Sequence, residues 1–282
     1  MTDYPGSGDP KRTLDLLWRV AQQRSRGPRP ALDIERVVEA AVAVADEGGL
    51  DALSIRSVAK RLGTSPMSIY TYVPSKAELL DLVHDHVLGE LSHDYSHIPG
   101  WRGAMEAYVR DHLDAYSRHP WMAHLSLART ALGPNSFAVF EIQTSILARL
   151  RLTPLQLAAG ASAIDMFING VARAVTDARA AASATGMTDD EWWQARAPLL
   201  ADITADHDFA VRYPTLSRLE GERVFEQPAR AADDTTSYME REILDGFELG
   251  VTLLLDGLQS LSDATAKASR RRKAPAPPPP MG

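Results

Sequence analysis

The sequence predicts an all-α fold in which a small N-terminal helical domain precedes a larger helical domain. Apolar residues recur at spacings of three and four through most of the chain, which is the period of an amphipathic helix. We find no convincing alternation of apolar and polar residues, which is the strand pattern. Proline and glycine divide the helical stretches at intervals typical of connections between packed helices.

Composition sets the outer limits of the function. With 45% hydrophobic residues, the chain has enough apolar material for one small domain and one larger core. It contains no cysteine, which excludes a disulfide framework and a thiolate metal site. We find no apolar run of about 18 residues and no signal-peptide pattern, so we expect a soluble cytoplasmic protein with no membrane partner.

The net charge of -7 is unevenly distributed along the chain. Residues 77–265 contain 14 arginines, no lysine and 28 acidic residues, whereas the remaining segments contain 16 basic and 9 acidic residues. The acidity therefore belongs to the larger domain. Because local charge decides phosphate attraction, the N-terminal part remains suited to binding a polyanion.

Residues 1–30 predict a short helix followed by a basic arm. The helical spacing involves Leu14, Leu17, Trp18 and Ala21. In residues 24–30 (RSRGPRP), glycine and proline alternate with arginine and exclude a helix, which indicates an extended segment. Such an arm can place arginine in the minor groove of DNA, and a solvated linker is the alternative.

Residues 31–94 contain four helical patterns. The first begins after the N-cap residue Asp33 and is stopped by the Gly48-Gly49 pair. The last begins after Ser75 and carries apolar residues through Leu91, so it would link the two domains.

The middle two patterns face each other across a glycine-containing break. Ser54 is the N-cap of the first, and Gly63 follows it at the turn. The second begins near Pro66, which suits a first helical turn, and ends at Val73 before a proline. Two short helices joined by a tight turn form a helix-turn-helix, whose second helix enters the major groove of DNA.

Residues 32–91 resemble the TetR/AcrR family of regulators. Three features carry the resemblance in register: the first helix ending in DEGGLDAL, the core ALSIRSVAKRLGTSPMSIYTYV, and the SKAELLDLV start of the next helix. The resemblance implies a helix-turn-helix DNA-binding domain at residues 31–94 and a palindromic double-stranded operator as its partner. The residues that it places at DNA are Ser54, Arg56, Ser65, Pro66, Met67, Ser68, Tyr70, Thr71, Tyr72 and Lys76.

These residue types suit contacts with DNA. Arg56 can reach a phosphate or a guanine edge, and Met67 can pack on a thymine methyl. The tyrosine hydroxyls and Lys76 can bind phosphate. A solvated charge is the alternative for Arg56 and Lys76, and a core role is the alternative for Tyr70. Because the second helix offers no Arg, Gln or Asn, we expect DNA shape to contribute to specificity.

The larger domain, residues 95–265, predicts further amphipathic helices. They lie near Trp101–Ser117, Trp121–Ala131, Ser136–Leu150, Pro154–Ser183, Asp189–Asp206 and Thr236–Ser262. Residues 184–234 are acidic and turn-rich. Residues 266–282 are basic and proline-rich, which predicts a disordered tail.

Two of these helices are candidates for a dimer interface. The Pro154–Ser183 helix is apolar all round, and ILDGFELGVTLLLDGLQSL in the last helix resembles that of the tetracycline-repressor-type C-terminal domain. There the equivalent helices pair with their symmetry mates, which implies a homodimer here. The candidate interface residues are Ile164, Ile168, Phe247, Val251, Leu254 and Leu258, with a role in the core of one chain as the alternative.

The same resemblance implies a ligand-binding and dimerisation domain with a small-molecule effector in an apolar cavity. Effector binding would move the linking helix and separate the two recognition helices. The candidate ligand residues are Trp101, Tyr108, His112, Phe137, Phe140, Asp165, Phe167, Asn169 and Arg173. Asp165 needs a partner because it lies in an apolar helix; Arg173, a helix end of the mate or a ligand cation would serve.

We expect no metal, no other cofactor and no catalytic residue. His93 and His97 have metal-pair spacing, but Pro99 and Gly100 end the helical pattern and no third ligand is fixed. The G-x-S-x-G, H-E-x-x-H, P-loop and G-x-G-x-x-G motifs do not occur.

The sequence therefore predicts a homodimeric transcriptional repressor that a small molecule releases from a palindromic operator. An activator of the same family is the alternative. From other classes, a helical hydrolase using a histidine such as His112 and a helical scaffold that uses DNA only for placement also stay open.

Overall fold

The computed structural model describes residues 6–19, 32–126, 129–205, 208–222 and 236–273. Within these ranges the chain is all-α, as predicted, and contains no β-strand. The helices are α1 (Pro10–Leu17), α2 (Ile34–Ala52), α3 (Ile55–Arg61), α4 (Pro66–Tyr70), α5 (Lys76–Leu88), α6 (Trp101–Arg118), α7 (Pro134–Leu147), α8 (Pro154–Thr185), α9 (Asp189–Ala205), α10 (Phe209–Arg212), α11 (Pro214–Gly221) and α12 (Tyr238–Lys273), with a 3₁₀ helix at Pro120–His124.

The chain forms two compact units. Residues 1–173 and 250–282 make up the first, and residues 174–249 make up the second. Within the first unit, one apolar core joins α2, α3, α4 and α5 to Trp121, Met122 and Leu125. This core fixes the helix-turn-helix on the linking helix α5.

The helix starts of the N-terminal domain follow the predicted capping residues. The side chains of Asp33, Ser54 and Ser75 each accept a backbone N–H from the first turn of α2, α3 and α5, which satisfies a donor that would otherwise lack a partner. Gly49 has φ 70° and kinks α2, which resumes for one turn to Ala52. The glycine pair therefore bends the helix instead of ending it.

The N-terminal helix α1 packs on α5. The Gly6 N–H donates to Asp81 at 2.7 Å, and Trp18 Nε1 donates to the Leu132 carbonyl at 2.9 Å. The helix ends at Leu17, one turn earlier than the predicted pattern. Ala21 and the basic arm at residues 24–30 lie outside the described residues.

Three predicted helix boundaries are wrong. The Trp121–Ala131 helix is only the 3₁₀ helix, because Trp121, Met122 and Ala123 are all buried and leave no solvent face for an amphipathic helix. Helix α5 ends at Leu88 instead of continuing through Leu91. Helix α12 continues to Lys273, so the first residues of the predicted tail are helical.

Helices α8 and α12 pack antiparallel through glycine. A Cβ on Gly160 would lie 2.9 Å from a Leu258 methyl, and a Cβ on Gly250 would collide with the Phe167 ring. Among the described helices, α8 alone has the length and composition of a membrane span, a pattern that core helices share. One face of α8 packs closely on α12, although only 28% of its span-length stretch is buried.

The second unit contains α9, α10, α11 and the adjoining ends of α8 and α12. Its contacts include a 2.7 Å ion pair between Arg179 and Glu240 and stacked rings of Trp192 and Trp193. The predicted helix at Asp189 is present as α9. The short helices α10 and α11 lie in the stretch that the sequence predicts to be turn-rich.

Candidate nucleic-acid interface and cavity

Gly63 makes the tight turn of the helix-turn-helix. It has φ 65°, and the Gly63 and Thr64 N–H groups donate to the Lys60 and Ala59 carbonyls at 3.2 and 3.0 Å. This pair of bonds is a Schellman ending, which requires a left-handed residue that only glycine adopts at little cost. The turn places α4 across α3.

Helix α4 presents an outward face next to Arg56 of α3. Ser65 caps it by accepting the Ser68 N–H at 3.3 Å, and Pro66 occupies its first turn. Met67 is 74% exposed and Tyr70 44% exposed. We call the recognition surface the set of predicted DNA residues that lie on this side: Arg56, Ser65, Pro66, Met67, Ser68, Tyr70 and Thr71.

Three other predicted DNA residues are held within the domain. Tyr72 donates its hydroxyl to the Leu32 carbonyl at 2.7 Å, contrary to the predicted phosphate contact. Ser54 forms a capping box with Ser57. Lys76 Nζ donates to the Leu50 carbonyl at 3.0 Å, so one of its three donors is engaged.

A cavity of about 310 Å³ lies among α5, α6, α7, α8 and the segment after the 3₁₀ helix. Its size falls in the range of small-molecule sites. Of the predicted ligand residues it is lined by Tyr108, His112, Phe137, Phe140 and Asp165. The lining that sequence reasoning missed is His84, Leu88, Tyr116, Met122, Leu125, Ser126, Arg129, Thr130, Ala131, Leu132, Ser136, Val139, Gln143 and Ile168.

One missed residue carries a sequence signal. Tyr108, His112 and Tyr116 recur every fourth residue along α6, which puts all three on one face. Gln143 and His84 carry none, because each stands among other polar residues of its helix and the spacing does not single it out.

His112 is a buried, neutral histidine in the cavity wall. Its Nδ1 lies 2.7 Å from the Tyr108 carbonyl, and its ring stacks on the Tyr108 ring with centroids 4.0 Å apart. Burial lowers the pKa of His112 to about 4, although the Tyr108 carbonyl and Asp111 oppose the shift. Among the described atoms, its Nε2 has no hydrogen-bond partner.

Gln143 and Asp165 meet across α7 and α8. The Gln143 Nε2 donates to Asp165 Oδ1 at 2.7 Å and to the Ala161 carbonyl at 3.2 Å. Burial raises the pKa of Asp165 to about 6, and the hydrogen bond from Gln143 limits that rise. Gln143, and not Arg173, is therefore the partner of this carboxyl group.

His84 connects the cavity with the linking helix α5. Burial lowers the pKa of His84 to about 4, against the charge of the adjacent Asp85. Its Nδ1 has no hydrogen-bond partner in the described part of the chain. At neutral pH both cavity histidines are therefore uncharged.

Four predicted ligand residues lie elsewhere. Trp101 Nε1 donates to Gln259 at 2.9 Å, and Phe167 packs against Gly250. Asn169 stands behind the lining, where it donates to the Tyr116 hydroxyl at 3.3 Å. Arg173 is exposed and does not line the cavity.

Asp85 ties α5 to the first turn of α7. Its carboxylate accepts the Ser136 N–H at 2.8 Å and the Ser136 hydroxyl at 2.9 Å. A Cβ at Gly133 would lie 2.3 Å from this carboxylate, so a larger residue there would displace it from Ser136. Because α7 carries Phe137, Phe140 and Gln143 into the cavity, Asp85 links the cavity wall to the helix that follows the recognition surface.

A second polar link joins the end of α6 to α2. His119 Nδ1 lies 2.8 Å from Asp46, and its Nε2 lies 3.1 Å from Glu90. Trp121 Nε1 also donates to Asp46 at 2.7 Å. The link spans from the cavity helix α6 to the first helix of the DNA-binding domain.

The predicted dimer residues lie in the interior of the chain. Ile164, Ile168, Phe247, Val251 and Leu258 are buried and Leu254 is half-buried, so none of them forms an exposed face. A second apolar stripe on the same helices is exposed instead: Leu155 and Met166 on α8, and Leu249, Leu253 and Leu261 on α12. The stripe identified from the sequence is the inner one, because core packing gives the stronger periodicity.

The alternative metal site has no geometric support. His93 and His97 lie in turns after α5, and His93 Nε2 contacts the Gly89 carbonyl at 3.2 Å. In the described ranges, no group of three or more His, Cys, Asp or Glu is placed to hold a metal ion.

Comparisons with known proteins match both parts of the chain. The family model "Bacterial regulatory proteins, tetR family" matches residues 37–83, and "Tetracyclin repressor-like, C-terminal domain" matches residues 98–261. The HTH-type transcriptional repressor DrrR1 of Streptomyces coeruleorubidus is 39% identical over 262 residues, which cover 92% of this chain and 89% of that relative.

A solved structure shows the same architecture. The TetR family protein ActR of Streptomyces coelicolor, in complex with actinorhodin, is 25% identical with a TM-score of 0.63. The match covers 83% of this chain and 98% of that one. With its helix-turn-helix, its helical cavity and matches that span both, this chain belongs to the TetR family of DNA-binding transcriptional regulators.

Proposed function

We propose that this protein is a homodimeric, cytoplasmic repressor that an aromatic small molecule releases from a palindromic operator. The observation that carries the proposal is the shared use of α5, whose residues His84 and Leu88 line the cavity while its start follows the recognition surface. The repressor DrrR1 and the actinorhodin complex of ActR support the two halves of the proposal.

Release proceeds through the links between the cavity and the N-terminal domain. An effector seated against Phe137 and Gln143 displaces α7, and Asp85 carries that displacement into α5. The effector must bind the released form more tightly than the DNA-bound form, because it shifts the equilibrium only by that difference. An activator would use the same coupling on a different promoter arrangement.

DNA is read by the recognition surface with few direct base contacts. Met67 and Tyr70 are the large exposed side chains on α4, and Arg56 adds a guanidinium from α3. Ser65, Ser68 and Thr71 supply hydroxyls, although Thr71 also bonds the Met67 carbonyl at 3.3 Å. With no bidentate reader on α4, the DNA sequence is sensed partly through groove shape.

The dimer forms through the outer stripes of α8 and α12. Leu155, Met166 and Leu253 are 80%, 62% and 63% exposed, and covering such side chains is favourable by roughly 25 cal/mol per Å². A two-fold dimer also explains how one small domain reads a palindrome, because each copy binds one half-site.

Selection of bound sequences from a random duplex library tests the proposal. We expect a two-fold symmetric site, bound by dimers and released by aromatic ligands that fit the cavity. Arg56→Ala serves as the DNA-surface control in the same selection. Failure to enrich any site at low salt contradicts the repressor assignment, and ester hydrolysis that disappears in His112→Ala supports the hydrolase instead.

A further inference from the structure

We propose that the inner end of the cavity recognises a protonated amine carried on an aromatic frame. The proposal deepens the proposed function, since it names the chemistry of the effector. Three side chains define this inner end, which we call the acceptor cluster: His112, Gln143 and Asp165. All three line the cavity; His112 and Gln143 use their donors within the chain, and each keeps a buried acceptor atom to which no described residue donates.

His112 is fixed as an acceptor by its own tautomer. The Tyr108 carbonyl can only accept, so the Nδ1 atom 2.7 Å away must carry the proton of the neutral ring. The Nε2 atom then has a bare lone pair. It is buried, and no described atom donates to it.

Gln143 is fixed as an acceptor by its neighbours. Both of its bonds, to Asp165 and to the Ala161 carbonyl, use the Nε2 amide group as donor. Its Oε1 is buried and receives no hydrogen bond from the described residues. Leaving such an oxygen without a donor is unfavourable, and a bound donor recovers that loss.

Asp165 brings negative charge to the same place. The amide of Gln143 donates to its carboxylate, and the neutral hydroxyl groups of Tyr108 and Tyr116 lie near its charge. Arg129, the only arginine in the described lining, is exposed, and the two histidines are uncharged at neutral pH. A buried carboxylate without a cation is costly, and an ammonium ion supplies both charge and donors.

The rest of the lining suits an aromatic frame. Tyr108, Tyr116, Phe137 and Phe140 place rings around the volume next to the acceptor cluster. Their faces favour stacked or edge contacts with a planar ligand and attract a nearby cation. The expected effector therefore has a flat apolar body with an amine at one end.

Three anthracene probes with different head groups test the proposal. They are 9-(aminomethyl)anthracene, 9-anthracenemethanol and anthracene-9-carboxylate, titrated with the full-length protein at pH 7.5 and followed by anthracene fluorescence. We expect the amine to bind about tenfold or more tightly than the alcohol, and the carboxylate to bind most weakly. Equal affinities for the amine and the alcohol, or no binding of the amine, overturn the proposal.

The variant Asp165→Asn tests whether the acceptor cluster causes the preference for the amine probe. The variant keeps the shape of the side chain and removes the charge, so the preference for the amine should fall to about threefold or less. Asp114→Asn on α6 is the matched control, because Asp114 is exposed and does not line the cavity. A preference that persists in Asp165→Asn contradicts the proposal, and the wild-type comparison stands by itself if that variant does not fold.

Operator binding and amine selectivity can be lost independently of each other. Operator affinity is measured on the same preparations, with and without each probe. Operator binding that all three probes weaken equally removes the amine assignment and leaves the ligand-responsive repressor in place. Loss of the operator interaction itself removes the repressor assignment, whatever the probes bind.

Discussion

The recognition surface and the acceptor cluster differ in whether their polar groups find hydrogen-bond partners within the chain. Ser65 and Ser68 bond to each other, and Thr71 bonds to the Met67 carbonyl four positions earlier, so these groups have partners without any ligand. In the cavity, His112 and Gln143 each keep one buried atom without a partner among the described residues. Unsatisfied buried groups cost free energy, so under the proposal a bound ligand supplies the donors that these two atoms lack.

Disrupting the proposed dimer interface gives the largest expected effect on operator affinity. Met166→Asp combined with Leu253→Asp puts charge on the outer stripes of α8 and α12, so the protein should become monomeric. Affinity for a palindromic operator should fall by about a hundredfold or more, because one half-site contact is lost. Light scattering and operator titration measure the two effects.

Cavity binding in the same variant is the control. The amine probe should bind the monomer about as it binds the wild type, since Asp165 is in the same chain as its cluster. A double variant that remains dimeric rules out these stripes as the main interface. Phe247→Asp with Leu254→Asp does not test the interface, because Phe247 is buried and its loss unfolds the chain.

The cavity should respond to pH in a definite direction. The amine binds the charged carboxylate, and the raised pKa of Asp165 of about 6 means that this form is lost as the pH falls through that value. Between pH 7.5 and pH 5 the affinity for the amine probe should fall by about tenfold.

The neighbouring groups do not confound that titration. His84 and His112 have pKa values of about 4, and the pKa values of Tyr108 and Tyr116 are raised, so all four groups are neutral over this range. The alcohol probe should show little change, and so should Asp165→Asn with the amine. An amine affinity that is flat over this range contradicts a carboxylate as the binding group.

The recognition surface should respond to charge removal. Arg56→Ala should weaken operator binding by about tenfold and lower the slope of log affinity against log salt by about one. Arg61→Ala on the same helix is the matched control, because Arg61 pairs with Glu47 at 2.8 Å. Lys76→Ala should have a smaller effect than Arg56→Ala, since Leu50 already engages its ammonium group. Unchanged affinity and slope in Arg56→Ala remove it from the interface.

A pair of tyrosines gives the finest test of the surface. Tyr72→Phe removes the bond to Leu32 and should lower the free energy of unfolding by about 1 kcal/mol with little change in operator affinity. Tyr70→Phe should lower operator affinity a few-fold and leave stability unchanged, because Tyr70 is exposed. Thermal unfolding measures the stability of both variants, and operator titration measures their affinity for DNA. Lower operator affinity in Tyr72→Phe together with lower stability in Tyr70→Phe contradicts the assignment of the outer face.

The difference between local and long-range hydrogen bonds explains how much of the structure could be predicted from the sequence. Asp33, Ser54, Gly63 and Ser75 act on neighbours within a few residues, so the start of each N-terminal helix was predictable. Asp165 was identifiable as a carboxylate in need of a partner. Its partner Gln143 is 22 residues away, and only the packing of α7 on α8 reveals it.

The errors have the same origin. Helix periodicity shows that α8 and α12 each carry an apolar stripe, but it does not show which stripe packs within the chain and which is exposed. Tyr72 has a residue type suited to phosphate, yet its hydroxyl is bonded to a residue 40 positions earlier. In both instances, contacts between residues far apart in the sequence determine what is buried or bonded.

Operator affinity with and without the amine probe decides whether the cavity is coupled to DNA binding, and it is measured by fluorescence anisotropy of the labelled, selected duplex. We expect that saturating 9-(aminomethyl)anthracene weakens operator binding by about tenfold or more in the wild type and by about twofold or less in Asp165→Asn. A probe that fills the wild-type cavity by fluorescence yet leaves operator affinity unchanged would contradict the coupling between cavity and recognition surface.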